Sequence, residues 1–423
     1  MGRKVAIVGF GSTDNSDEAR RKDDLKPWRT KVADAFYNIL ESVDKGIDLK
    51  DIQYVVTNYH GESSVEGGSP AELIDALGLA PIGHSLITDQ CTGSGTSLFD
   101  AYAIVASGLC DVVLIIGWDS RYDSLNRAEK RSLQSNVDFD YHFGYDHYHA
   151  TDMFIEYFYR WYGKREVLEA FVTYVIQQYW YANRTPKAAW YGHQCPIKKD
   201  ELLALLDSGD EAGFWRKFKQ AVRYVSCDGA SGVILVPAED AKKYTDTPVY
   251  IEGVSQKNTP NYVGWPTHYP VKRYDWAAIT HTPSDKMCHI ISPASWISTE
   301  EAFKMAKIEP KDVDFAEVFD LDLLHLPLLE TLRVCPRFGA VKFIIDGETA
   351  IDGRLPCGTN GGVGGFGKAS GADFSNMLVE AVIQLRGEAG QRQVPKHDIA
   401  VVKSAGGVGG GGAMSSTAVL RRG

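Results

Sequence analysis

Three glycine-rich stretches of this 423-residue chain hold the side chains best placed to do chemistry. The first reads Asp89-Gln-Cys91-Thr-Gly-Ser-Gly-Thr-Ser97. Cys91 stands just ahead of small residues that permit a strained turn, and a helix is expected to begin immediately after it. The unpaired N–H groups and macrodipole of a helix N-terminus favour a thiolate, so the placement predicts a nucleophile. A lone cysteine is ordinarily a buried structural residue, but such a residue has no need of the open turn that Gly93 and Gly95 provide.

The second stretch, Asn360-Gly-Gly-Val-Gly-Gly-Phe-Gly-Lys-Ala-Ser-Gly371, also precedes a predicted helix. Its glycines either cradle an anion or simply make a compact loop. Lys368, its only charged residue, is either a cation placed in a site or a solvated surface lysine. The third stretch, Lys403-Ser-Ala-Gly-Gly-Val-Gly-Gly-Gly-Gly412, lies between two strand patterns and reads as a hairpin whose backbone approaches something closely. Its N–H groups suit an oxyanion. Two other patterns carry less. Gly9-Phe-Gly11 follows a strand as a dinucleotide-binding turn would, but the third glycine position is Asp14, whose carboxylate is wrong for phosphates, so a plain tight turn is expected. Asp146-His-Tyr-His149 brings two imidazoles together without a third ligand at a recognisable spacing, and no metal is expected.

The elements that must hold these groups alternate along the chain. Strand patterns at 4–8, 52–57 and 111–116 alternate with helical patterns at 30–42 and 93–107. The run 111–116 barely alternates and reads as a buried central strand. This order implies a largely parallel sheet with helices on both faces. From 121 to about 224 the chain becomes aromatic and charged at helical spacing, with Phe154, Tyr157, Phe158, Trp161 and Tyr162 among the aromatics; packing is their expected role. Strand patterns resume at 231–236 and 248–252. A second series follows: a helix from about 299, a strand at 313–319, helices near 321–331 and 374–386, and strands at 399–403 and 416–420. The order repeats that of the N-terminal part, so a structural duplication is expected.

Composition narrows the function. With 44% hydrophobic and 24% charged residues the chain has an ordinary globular composition. Its 45 Lys+Arg against 55 Asp+Glu give a net charge of −10, which disfavours a nucleic-acid partner. Seven widely spaced cysteines without a CxxC pair signal neither a disulfide framework nor a zinc knuckle, and a reducing cytoplasm is expected. No apolar run approaches the ~18 residues of a membrane helix, so no membrane association is expected.

Taken together, the strand with its glycine turn, the Cys91 turn and helix, Cys227-Asp-Gly-Ala-Ser-Gly-Val-Ile-Leu, Ala316-Glu-Val-Phe-Asp320, the Gly361-Gly loop and the glycine-rich C-terminus resemble the thiolase superfamily along nearly the whole chain. The similarity is greatest to sterol-carrier-type and archaeal-type thiolases. Tyr59-His-Gly-Glu62 also resembles the thiolase-like subunit of phloroglucinol acetyltransferases. The resemblance implies an α/β thiolase-like fold of two similar α/β halves in five αβαβα layers with a helical insertion. Its expected parts are an N-terminal half over 1–120, an insertion over 121–225, completion of the N-terminal half over 226–270 and a C-terminal half over 271–423. It also implies coenzyme A as co-substrate with no covalently bound cofactor, a homodimer, and a small partner with an OB fold and a zinc ribbon.

Carried over by position, Cys91 matches the acyl-accepting nucleophile. Three positions depart from the family pattern. The catalytic histidine is replaced by Lys368, the acid/base cysteine by Ser404, and the Asn or His that contacts the thioester or a catalytic water by Phe319, here a substrate-binding candidate. Gly406 matches an oxyanion donor. Lysine starts near ~10.4 and must be desolvated to act as a base, so Lys368 is better suited to be a cation beside a thiolate, an enolate or a substrate carboxylate. Serine is a far weaker acid than a thiol. These changes argue against ordinary acetoacetyl-CoA thiolysis. The expected activity is cleavage or formation of a β-ketoacyl-CoA through an acyl-Cys91 enzyme, with an aromatic or carboxylate-bearing substrate such as benzoylsuccinyl-CoA. The alternatives are a thiolase-like aldolase performing retro-aldol cleavage and a non-catalytic scaffold subunit.

Overall fold

The fold rests on β-branched runs that are apolar on both faces, each feeding a helix that covers one of them. The computed structural model describes residues 2–15, 26–59, 70–88, 93–120, 147–221, 227–259, 292–321, 325–407 and 413–423. Nine strands are described: β1 (Val5–Ser12), β2 (Tyr54–Tyr59), β3 (Gly83–Ile87), β4 (Val113–Asp119), β5 (Gly229–Pro237), β6 (Val249–Asn258), β7 (Phe315–Val318), β8 (Ile399–Gly406) and β9 (Met414–Arg422). They make one sheet in the order β3-β2-β4-β5-β1-β6-β9-β8-β7.

That order is a duplication. β2 runs parallel to β4, which is antiparallel to β5, which is antiparallel to β1. In the same way β7 runs parallel to β8, which is antiparallel to β9, which is antiparallel to β6. The two series meet where β1 and β6 pair over only three positions, Val5↔Ile251 to Ile7↔Val249. By strand order β6 stands between β1 and β9, at the junction of the two series. The sheet is mixed, not largely parallel, because β5 and β9 each run back between strands of the opposite direction.

The helices are α1 (Trp28–Glu41), α2 (Pro70–Ala76), α3 (Gly93–Ser107), α4 (His147–Tyr162), α5 (Lys164–Ala182), α6 (Lys199–Asp207), α7 (Glu211–Phe218), α8 (Pro293–Ala306), α9 (His325–Thr331), α10 (Ala340–Ile345), α11 (Gly362–Phe366) and α12 (Asp373–Arg386). Strand alternation sorts side chains into layers. Ala6, Val8, Leu114, Ile116, Ile234 and Val236 pack with Val32, Ala35, Phe36 and Ile39 of α1. The opposite faces of the same strands, with Val5, Ile7, Ile115 and Val233, share a central core with Ala400, Val402, Ala418 and Leu420 of β8 and β9, and with α3 and α12. The outer face of the second series, with Val318, Val401 and Val419, packs against α8, α9 and the insertion. Helix, half-sheet, shared helices α3 and α12, half-sheet, helix is the five-layer arrangement. Burial of both faces explains why β4 reads as a continuous apolar run.

The insertion is helical from α4 to α7, and Phe158, Phe171, Tyr174, Tyr179, Phe214 and Phe218 are buried in its core. Gly9 and Gly11 do not make a turn. They lie inside β1, where a Cβ on Gly11 would stand 2.7 Å from Ile39 N and one on Gly9 2.8 Å from the Val43 side chain, so they let α1 lie close. No described helix is long and apolar enough to cross a membrane. Among the described residues no group of three or more His, Cys, Asp or Glu could hold a metal ion. Asp146 and the side chains of His147 and His149 lie outside the described residues.

Candidate active site

Cys91, with residues 89–92, lies outside the described residues, but the helix expected behind it starts at Gly93, and its first turn is where the second half reaches the first. Ser94 Oγ donates a 2.8 Å hydrogen bond to the Gly371 carbonyl, which also accepts from Asn58 Nδ2 of β2 at 2.6 Å. A Cβ on Gly117 of β4 would lie 2.2 Å from that carbonyl, so only glycine lets the loop end rest on β4. One residue beyond Ser94, a Cβ on Gly95 would lie 2.4 Å from Ser416 Cβ of β9. Ser416 is the cross-strand partner of Ser404. The first turn of α3 therefore touches the end of the second glycine-rich stretch and the β9 neighbour of Ser404.

Lys368 is 8% exposed, which removes the reading of a solvated surface lysine. Gly367, at φ 110°, turns the chain into it, and a Cβ there would lie 2.7 Å from Cys227 Sγ. The Gly367 carbonyl accepts from Asn15 Nδ2 at 3.0 Å, and Cys227 N–H donates to the Lys368 carbonyl at 2.8 Å. Lys368 Nζ donates to Ser370 Oγ at 2.6 Å, and Ser370 N–H donates to Asp119 Oδ2 at the end of β4 at 3.0 Å. The loop is thus pinned over the ends of the first-half strands β1, β4 and β5.

Ser404 is fully buried in β8 on the face shared with the central core, and neither its hydroxyl nor that of Ser416 has a hydrogen-bond partner. Gly406 ends β8 opposite Met414, at the base of the expected hairpin, and residues 408–412 lie outside the described set. Phe319 is 1% exposed, its N–H donates to the Lys403 carbonyl, and its ring belongs to the central core with Phe374 and Met377. The structure therefore brings the end of the Lys368 loop, through Gly371, and Ser416, the cross-strand partner of Ser404, to the first turn of α3, and places Phe319 in the central core.

Sequence reasoning missed two buried acids in the same strand segment, Glu317 and Asp320. Glu317 Oε1 accepts from Thr359 N–H at 3.0 Å and stands 2.6 Å from Thr359 Oγ1, which is 2.9 Å from Glu380 Oε1. Arg392 Nη1 donates to Glu380 and to the Thr359 carbonyl. Burial, then the neighbouring Glu380 charge, push the Glu317 carboxyl up to about 8, so it is protonated at neutral pH. Asp320 accepts from Val363 N–H at 2.7 Å, Gln178 Nε2 at 2.7 Å and Tyr174 OH at 3.2 Å, and burial pushes its carboxyl up to about 6 against those bonds. The signal available in the sequence was Glu317 and Asp320 standing among the apolar residues of 315–320.

The family model "Thiolase C-terminal domain-like" matches residues 277–422. An acetyl-CoA acetyltransferase of Methanothermobacter thermautotrophicus is 28% identical over 414 residues, covering 96% of this chain and 97% of the relative. One from Methanocaldococcus jannaschii is 29% identical over 422 residues, covering 96% and 97%. Among solved structures, the Ltp2-ChsH2(DUF35) aldolase superposes with a TM-score of 0.72 at 20% identity, covering 99% of this chain and 97% of that one.

Proposed function

We propose that the chain is a member of the thiolase superfamily and an acyl-CoA acyltransferase that cleaves or forms the carbon–carbon bond of a β-ketoacyl-CoA, with Cys91 as acyl carrier. The observation that carries the reading is the meeting, at the first turn of α3, of the end of the Lys368 loop and of Ser416, the cross-strand neighbour of Ser404. In the cleavage direction the Cys91 thiolate adds to the ketone carbon. The bond to the α-carbon breaks, leaving the acyl group on sulfur and an enolate of the CoA thioester that takes up a proton. Coenzyme A then attacks the acyl thioester and regenerates Cys91. Lys368, buried and cationic, and the Gly406 N–H stabilise the oxyanions, where a preorganised donor in a dry site is worth ~2.7–4 kcal/mol. Ser404 serves as a hydrogen-bonding group, not as the acid. A buried cation at position 368 suits a substrate bearing a carboxylate, of which benzoylsuccinyl-CoA is one.

The second reading, a retro-aldol cleavage without an acyl-enzyme, is favoured by the loss of the family histidine and cysteine at Lys368 and Ser404 and by the likeness to a DUF35-partnered aldolase. That neighbour also supports the expectation of a small OB-fold and zinc-ribbon partner. The β3 edge strand, whose residues are exposed or half-buried, supports a homodimer formed at that edge. Incubation with a panel of β-ketoacyl-CoA thioesters, then intact-mass and peptide mapping, tests the proposal. An acyl adduct on Cys91 that free CoA discharges is the expected result. Substrate cleavage with Cys91 unmodified and Cys91→Ala still active would replace acyl transfer by the aldol reading.

A further inference from the structure

Asp320 holds a place that the acyl-transfer chemistry does not use directly. It closes β7, and its carboxylate is buried between two structures that differ in origin. One oxygen accepts from Val363 N–H, in the first turn of α11, the single-turn helix leading to Gly367 and Lys368. The other accepts from Gln178 Nε2 and Tyr174 OH, both on insertion helix α5. The fit is tight: a Cβ on Gly362 would lie 1.8 Å from Asp320 Oδ2, and Gly362 holds φ 62°. The same face of α5 continues under the loop, since a Cβ on Gly361 or Gly365 would come within 2.6 or 2.8 Å of Ala182 Cβ. After α5, Ala189 N–H donates to the Phe366 carbonyl at 2.9 Å.

We propose that Asp320 is a positioning residue for Lys368: its ionised carboxylate locks α11 to insertion helix α5 and so fixes the direction from which the Lys368 ammonium meets the reacting thioester, a role that rests on the acyl-transfer reading above. A carboxylate accepts all three hydrogen bonds at once, and bonds to an ionised acceptor are roughly twice as strong as neutral ones. A protonated acid must donate to one of the three partners and weakens its hold on Val363. The titratable groups facing Asp320 are the Tyr174 phenol and the Cys357 thiol, both pushed up by burial, and the Glu317 carboxyl near 8, so none of the three changes charge around pH 6. Asp320 alone of this group titrates there.

The test uses the full-length protein with Asp320→Asn and Asp320→Ala. In the wild type kcat should fall as pH drops through about 6, while KM stays constant. Asp320→Asn, neutral at every pH, should sit at the low-pH plateau throughout, ~3–10-fold below wild type at neutral pH, with that limb absent. Asp320→Ala should lose a further ~10-fold in kcat, because small misplacements of a catalytic group are costly. Hydrogen exchange at Val363 should speed up in the same order. That readout needs no activity: if no acyl transfer is found in any variant but exchange follows this order, the positioning role stands and the acyl-transfer reading falls. Wild-type exchange at Val363 in Asp320→Ala, or a wild-type pH limb in Asp320→Asn, would overturn the inference.

Discussion

Strands β4 and β8 occupy equivalent places in the two halves, each parallel to one neighbour and antiparallel to the other, and both are buried along their whole length. Their contents differ. β4 reads Val-Leu-Ile-Ile-Gly-Trp-Asp and meets polar partners only at its end, where Asp119 takes the Ser370 N–H. β8 reads Ile-Ala-Val-Val-Lys-Ser-Ala-Gly and carries Lys403 in mid-strand, fully buried, with Nζ donating to the Ser295 carbonyl at 2.8 Å, Thr299 Oγ1 at 2.6 Å and Thr417 Oγ1 at 3.0 Å. The acids Glu317, Asp320 and Glu380 are buried in this second half as well. The mid-strand of β4 is held by shape, whereas the mid-strand of β8 also carries a hydrogen-bonded charged group. Apolar packing tolerates small shifts, whereas satisfied buried polar groups enforce one geometry.

The contrast can be broken most directly at Lys368. Lys368→Ala should cut turnover by roughly 10²-fold or more while lowering the melting temperature by only a few degrees, because the loop is also held by the Gly367, Gly371 and Cys227 backbone contacts. Equal activity with any acyl-CoA would reduce the second half to a support. Ser404→Ala should have a smaller effect: turnover down by less than ~10-fold, and stability equal to wild type or up by ~1 kcal/mol, since a buried hydroxyl without a partner costs more than it returns. Denaturant titration and steady-state rates separate the two. The smallest catalytic effect is expected from Lys403→Met, within ~3-fold, because the amine faces α8 and its hydroxyl acceptors keep other partners, Thr299 Oγ1 the Ser295 carbonyl and Thr417 Oγ1 the Ser298 hydroxyl. Its signature lies in stability against pH. Burial pushes the Lys403 amine well below its usual value, so the unfolded chain binds more protons between the two values and wild-type stability rises with pH there. In Lys403→Met that slope should vanish, and an unchanged slope would show the amine to be neutral in effect.

Asp320 sharpens the same point from the opposite sign. Its carboxyl is raised in the fold, so it adds stability below the unfolded carboxylate range and loses it as pH rises through about 6. Asp320→Asn should therefore raise the melting temperature at neutral pH while lowering kcat, a stability–function trade-off that a purely structural acid would not give.

The sequence made the scaffold and the three glycine-rich stretches legible where the physics is local. The start of α3 at Gly93 follows from glycines ahead of a helical pattern, and β4 from an unbroken apolar run. β3 went unseen because Gly-His-Ser-Leu-Ile is a half-exposed edge strand with little of the β-branched character that marks buried ones. The true reach of β6 was hidden because its polar half, Ser255 to Asn258, is strand only through pairing with β9. The acid network escaped for a different reason: Asp320 finds Tyr174 and Gln178 across the insertion, and Glu317 finds Thr359 and Glu380 across two loops. No pattern within one segment encodes such meetings. Lys368 was ambiguous in sequence because exposure decides its role and burial is a property of the assembled halves.

The order in which the chain is made gives the strand arrangement a further consequence. β1 is made well before either of its neighbours in the sheet, since the residues that pair with it lie at Ser231–Pro237 and Val249–Ile251. Its two edges stay open until the whole insertion has been synthesised, a long interval for an apolar strand. Contacts so distant in sequence fold slowly, so β1 is exposed to misassociation in a nascent chain for longer than β2, whose neighbours β3 and β4 follow it closely.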